Sequence, residues 1–222
     1  MILVLLLSIL GLIPAAGAAQ PIEGSIRGAV LTEDGNPVPG AHVYAEVMRG
    51  SKILTVLNRN TDDVGIFEFS PLAAGRYRVY ADKREVGYLS TRPDIFPSRP
   101  SQTLVITPDK PRATTLIRFG PKGSMVTGWV RDSATGESLA AHLSLAPISG
   151  SGWSTTATSG RYRFELLIPA NTAISFGACA EGYEPWFHAG PLRLRPGAKV
   201  EIDITLQRNL DNLRTPCLSG NY

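Results

Sequence analysis

Few side chains in this 222-residue chain could do chemistry: three histidines, two cysteines, three tryptophans and scattered carboxylates. A catalytic zinc site takes two histidines and a carboxylate or their equivalents, and keeps one position open. His42 and His142 sit at matching places in two similar segments. Neither has a His-x-x-Glu or His-Glu-x-x-His partner. They read as exposed strand histidines, and His188, in Trp186-Phe187-His188, as a lone loop histidine. Serine catalysis needs a nucleophile, a histidine base and an orienting acid. There is no Gly-x-Ser-x-Gly elbow, and Ser149-Gly150-Ser151-Gly152 reads as a hairpin loop. Asp62-Asp63 lacks the regularly spaced oxygen ligands of a calcium loop. No phosphate loop or dinucleotide fingerprint occurs. The chain therefore reads as non-catalytic, with no catalytic residues, no metal site and no cofactor.

Two other sets of residues remain. Cys179 lies among Phe176, Ala178 and Ala180 with no adjacent base, a setting for an inert thiol. With Cys217 it makes an even count, which in an exported chain suggests one disulfide. Such a bond would tie the polar tail to the second half. Trp129, Trp153 and Trp186, with Tyr183 near the last, are the candidate ligand-binding residues. Flat apolar rings suit sugars or extended peptides, and tryptophan is enriched at interfaces. All four fall in the second half.

The elements that must position these residues follow from composition and period. Charged residues make up 18% of the chain, below the roughly 25% of an average soluble protein. Glycine (22) and proline (17) are abundant without a collagen period. This fits a turn-rich β protein and excludes a coiled coil or a multi-span membrane protein. The net charge of +3 is no basic patch of the kind nucleic-acid binding requires. Ile2 to Ile13 is an apolar run followed by Ala15, Ala16, Gly17, Ala18 and Ala19. It reads as a secretory signal peptide over residues 1–19, although no Lys or Arg precedes Arg27 and an uncleaved anchor stays open. No later stretch approaches the ~18–20 apolar residues of a spanning helix. The mature chain is expected outside the cytoplasm, with no membrane span.

An internal repeat organises the rest. Gly24-Ser25-Ile26-Arg27-Gly28-Ala29-Val30 recurs as Ser124-Met125-Val126-Thr127-Gly128-Trp129-Val130. Asp34-Gly35 through Tyr44 matches Thr135-Gly136 through Leu145. Asp63-Val64-Gly65-Ile66-Phe67-Glu68-Phe69 aligns with Thr158-Ser159-Gly160-Arg161-Tyr162-Arg163-Phe164, and Gly87-Tyr88 with Gly182-Tyr183. The period inside the blocks is two. Ala41, Val43, Ala45 and Val47 alternate with His42, Tyr44, Glu46 and Met48. Val200, Ile202, Ile204 and Leu206 alternate with Lys199, Glu201, Asp203 and Thr205. Such alternation predicts antiparallel strands with one buried and one wet face. About seven short strands per 100 residues is the rhythm of a β-sandwich. The expected plan is a first domain over 22–119, a joint at Gly120-Pro121-Lys122-Gly123, a second, divergent domain over 124–207, and a polar tail over 208–222. The proline-rich stretch from Arg92 to Ser101 reads as a surface loop.

The first half resembles the carboxypeptidase regulatory-like domain, a transthyretin-like (prealbumin-like) β-sandwich. The matching residues are Ile26-x-Gly28-x-Val30, Gly35-Asn36-Pro37-Val38-Pro39-Gly40-Ala41, Asp63-x-Gly65-x-Phe67-x-Phe69, and Leu72-Ala73-Ala74-Gly75-Arg76-Tyr77-Arg78-Val79. The second half resembles it less, with Thr158 at the usual Asp. The resemblance implies two tandem antiparallel sandwiches in an all-β chain, acting as an accessory or surface module. It also implies a carbohydrate-binding-like fold. The transthyretin fold hosts a hydrolase ending in Tyr-Arg-Gly-Ser, but this chain ends Leu218-Ser219-Gly220-Asn221-Tyr222. The expected function is structural, adhesive or protein-binding; the alternative is a glycan-binding module using the aromatics of the second half. The partner, protein or glycan, is not named by the residues.

Overall fold

A computed structural model describes residues 23–92, 102–148, 155–159 and 163–209. The expected signal peptide, Trp153, most of the proline-rich loop and most of the tail lie outside these residues. Among the described residues the only helical element is a 3-10 turn at Arg84–Val86; the rest is strand and connection.

The first half contains β1 (Gly24–Leu31), β2 (His42–Arg49), β3 (Lys52–Asn60), β4 (Ile66–Leu72), β5 (Gly75–Asp82), β6 (Gln102–Ile106) and β7 (Arg112–Arg118). They form a sheet of order β4-β1-β7 and a second of order β3-β2-β5-β6. Ile26, Val30, Ala41, Val43, Ala45, Phe67, Phe69 and Val79 are among the side chains that fill the core between them. The period-two reading of β1 and of the apolar face of β2 is correct. Phe67 and Phe69 are buried as expected, with their rings edge to face at 5.9 Å. Gly65 takes φ +76°, and a Cβ there would meet the Val30 carbonyl oxygen at 2.9 Å. Only glycine fits that turn without strain.

The second half contains β8 (Ser124–Gly128), β9 (Val130–Asp132), β10 (Ala141–Pro147), β11 (Thr155–Ser159), β12 (Phe164–Ile168), β13 (Ile174–Cys179), β14 (Trp186–Phe187), β15 (Lys199–Glu201) and β16 (Ile204–Leu206). The orders β12-β8-β15 and β11-β10-β13-β14, with β16 on β9, repeat the plan of the first half. Val126, Leu143, Leu145, Phe164, Phe176 and Ile204 belong to its own buried cluster.

Three sequence expectations need correction. The sandwiches are not wholly antiparallel: β7 pairs with β1 in parallel, as do β15 with β8 and β16 with β9. Period two reports which face is buried but not strand direction, so this was hidden. Among the described residues the second half has nine strands rather than about seven. Its first and last strands both break at one place, where the Trp129 N–H donates to Asp203 Oδ1 (2.9 Å) instead of to a neighbouring strand. The third repeat block is also shifted by two residues. Gly28 lies opposite Phe67 and Gly128 opposite Phe164, so Phe164 replaces Phe67, and Leu166, opposite Val126, replaces Phe69.

Candidate functional site

Alternation put Glu46 on a wet face. The structure buries it, with 1% exposed. A carboxylate out of water needs charge partners and hydrogen bonds, and the strand register supplies them. Glu46 stands opposite Arg78 of β5. Arg78 Nε donates to Glu46 Oε2 at 2.6 Å, and a second Arg78 nitrogen also pairs with Oε2. Arg92 Nε lies 3.2 Å from Oε1. The Arg92 guanidinium also sits over the Tyr80 ring, 5.7 Å from its centroid, and Tyr80 stacks on Tyr44 at 5.0 Å. Burial first, and then the negative Glu46, push the Tyr80 hydroxyl up to about 12. Burial likewise raises Asp82. The group is a charge-paired polar layer on the outer face of β2 and β5. The sequence signal for it was a Glu whose cross-strand neighbour is Arg.

His42 lies at the end of this layer. Its Nδ1 is 3.0 Å from Asn60 Oδ1 and its Nε2 is 4.0 Å from Glu85. His142 is exposed, and His188 Nδ1 meets the Gly190 carbonyl at 2.9 Å. Among the described residues no group of three or more His, Cys, Asp or Glu side chains is placed to hold a metal ion.

The candidate aromatics occupy different settings. Trp129 is half-buried at the break between β8 and β9, with the Arg131 guanidinium 5.1 Å from its ring centroid. Trp186 of β14 packs on the core, edge to face with Phe176 at 5.7 Å. Tyr183 also packs on the core and donates its hydroxyl to Asp132 Oδ2 at 2.8 Å. No hydrogen bond or ring contact joins Trp129, Tyr183 and Trp186 to one another among the described residues. Trp153 lies outside them.

Asp132 is a second feature that sequence reading passed over. It is 1% exposed at the end of β9. Oδ2 accepts from Tyr183 and from Arg208 Nε (2.9 Å). Oδ1 accepts the backbone N–H groups of Ala134 (2.7 Å) and Thr135 (3.1 Å). These donors favour the charged form: the Tyr183 hydroxyl, the Ala134 amide and Arg208 hold the carboxyl well below the usual carboxylate range. The cluster fastens the turn after β9, the Gly182-Tyr183 turn and the start of the tail. Cys179, at the end of β13, is disulfide-bonded. Cys217, the chain's other cysteine, lies outside the described residues.

Residues 25–109, from β1 past β6, match the carboxypeptidase regulatory-like domain. The match stops before β7, so the likeness of the second half to the first rests on its own strand order. No curated protein matches the chain. Similar solved structures include the Bacillus anthracis TIE protein, with 16% identity and a TM-score of 0.35, over 83% of this chain and 34% of that one. The Streptococcal ancillary pilin aligns with 15% identity and a TM-score of 0.38, over 86% and 64%. The shaft pilin SpaA from Lactobacillus rhamnosus GG aligns with 11% identity and a TM-score of 0.33, over 84% and 97%. This chain thus spans about a third of the first structure's length and under two thirds of the second's.

Proposed function

We propose that this chain is an exported, non-catalytic protein of two β-sandwich units, residues 22–119 and 124–207, working as a structural, adhesion or protein-interaction module. The observation that carries the reading is the match of residues 25–109 to the carboxypeptidase regulatory-like domain. The bonded state of Cys179 supports an oxidising compartment, as does the apolar run Ile2 to Ile13. The partnered states of Glu46 and Asp132 support structural roles for the two buried carboxylates. Among the described residues no helix is long and apolar enough to cross a membrane. Cross-linking on intact cells that produce the tagged full chain tests the proposal. A discrete higher-mass adduct supports it, and a chain recovered without any adduct counts against it.

Glycan binding is the second reading. It is favoured at Trp129, which stands apart from the core cluster that takes up Tyr183 and Trp186. A glycan array with the full chain and with Trp129→Ala and Trp186→Ala decides it. Binding that falls with Trp129→Ala supports it, and no binding, or binding indifferent to both changes, removes it.

A further inference from the structure

The longest strand among the described residues is an open sheet edge. β3 spans nine residues and stands at the end of the order β3-β2-β5-β6, bonded to β2 alone. Free N–H and C=O groups along an edge are a template for another strand, so proteins guard edges with proline, charge, bulges or short length. Two other edges of the first half carry such guards, Pro71 in β4 and a length of only five residues in β6, whereas β3 has charge only near its ends, at Lys52 and Arg59. In β3 the register shift is confined to the hairpin end, beside Val47 and Met48. The run from Thr55 to Asn58 contains neither proline nor a charged side chain.

The register sorts the side chains of β3 onto two faces. Val56 stands opposite Glu46 and Asn58 opposite Tyr44, on the outer face; Thr55, Leu57 and Arg59 stand opposite Val47, Ala45 and Val43, and Lys52 opposite Arg49. Leu54 and Val56 remain 47% and 45% exposed. Arg49, Lys52 and Arg59 are exposed and form no ion pair among the described residues. β3 has no acidic residue, and Glu46 beside it is buried and neutralised by Arg78 and Arg92.

We propose that β3 is a docking edge for an extended peptide strand that alternates apolar and acidic side chains. The peptide adds to the sheet by main-chain hydrogen bonds. Its apolar side chains lie beside Leu54 and Val56, and its acidic ones on the face of Lys52 and Arg59. This rests on the reading of the protein as an interaction module and names the surface it uses.

The test uses the full chain and a capped nine-residue peptide of alternating valine and glutamate, with a lysine-for-glutamate version beside it. Amide hydrogen exchange and fluorescence anisotropy are the readouts. The expected result is slowed exchange in β3, affinity at least ~10-fold weaker for the lysine peptide, and a similar loss with Val56→Lys. Val105→Lys, on the opposite edge strand β6, leaves binding unchanged. No protection in β3, equal binding of the two peptides, or indifference to Val56→Lys overturns the proposal. An intact-cell adduct that persists in Val56→Lys overturns the edge alone and leaves the module reading standing. Loss of the wild-type adduct altogether removes the reading beneath it.

Discussion

The ring of Phe67 occupies the space that a side chain on Gly28 would need. The two residues face each other across β1 and β4, and a Cβ on Gly28 would come within 2.6 Å of Phe67 Cζ and 2.5 Å of the Thr115 carbonyl oxygen. Gly128 and Phe164 repeat the arrangement, with the Ile202 carbonyl oxygen only 1.9 Å from such a Cβ. The bare glycine lets a phenyl ring and the parallel last strand close on the first strand together.

Gly28→Ala and Gly128→Ala should therefore both destabilise the fold by overpacking, by about 3 kcal/mol or more. Gly128→Ala should be the worse, because its backbone obstacle is nearer, 1.9 Å against 2.5 Å at Gly28. Urea denaturation of each variant checks the order.

Removing the Glu46 carboxylate leaves two guanidinium groups facing each other across the outer face of β2 and β5. Glu46→Ala should cost about 2–4 kcal/mol, toward the lower end for a broken buried pair because both arginines keep some contact with water. A double-mutant cycle with Arg78→Ala should show coupling well above the experimental error, and additive losses would contradict it.

The raised Tyr80 hydroxyl makes the fold sensitive to alkali. The folded group, at about 12 against an ordinary 10.0, favours its neutral form. Its contribution is complete below pH 10 and is lost as pH rises toward 12. Tyr80→Phe should lack that part of the alkaline fall, and denaturant midpoints taken across this range measure it.

Asp132 works in the opposite sense. Its lowered carboxyl contributes stability above the ordinary 3.8 and loses it as pH falls further. Asp132→Asn should be less stable than the wild type at neutral pH, and the gap should narrow in acid. A gap that stays constant down to pH 2 would argue against the ionised carboxylate as the source.

The strands were legible where burial is one-sided. Ile26, Gly28 and Val30 alternate cleanly because β1 has a core on one side only, and the same holds for Ala41, Val43 and Ala45. Glu46 broke the rule because burial on its face is made by charge pairing with Arg78 and Arg92, which lie 32 and 46 positions further along the chain. The shift of the third repeat block came from matching Gly160 to Gly65 by type, whereas the ladder fixes Phe164 through Gly128. Trp186 and Tyr183 drew attention as aromatics, but side-chain type does not say whether a ring faces a core. The open edge of β3 could not be read at all, because strand order is a property of the whole sheet.

Export is the claim on which the disulfide and the class of partner both depend. The direct measurement is the intact mass, without reductant, of the full chain recovered from the extracytoplasmic fraction. The chain should be found there and should be lighter by two hydrogens than after reduction, with Cys179 bonded to Cys217. A chain recovered only from the cytoplasm, with both thiols open to alkylation, would contradict it.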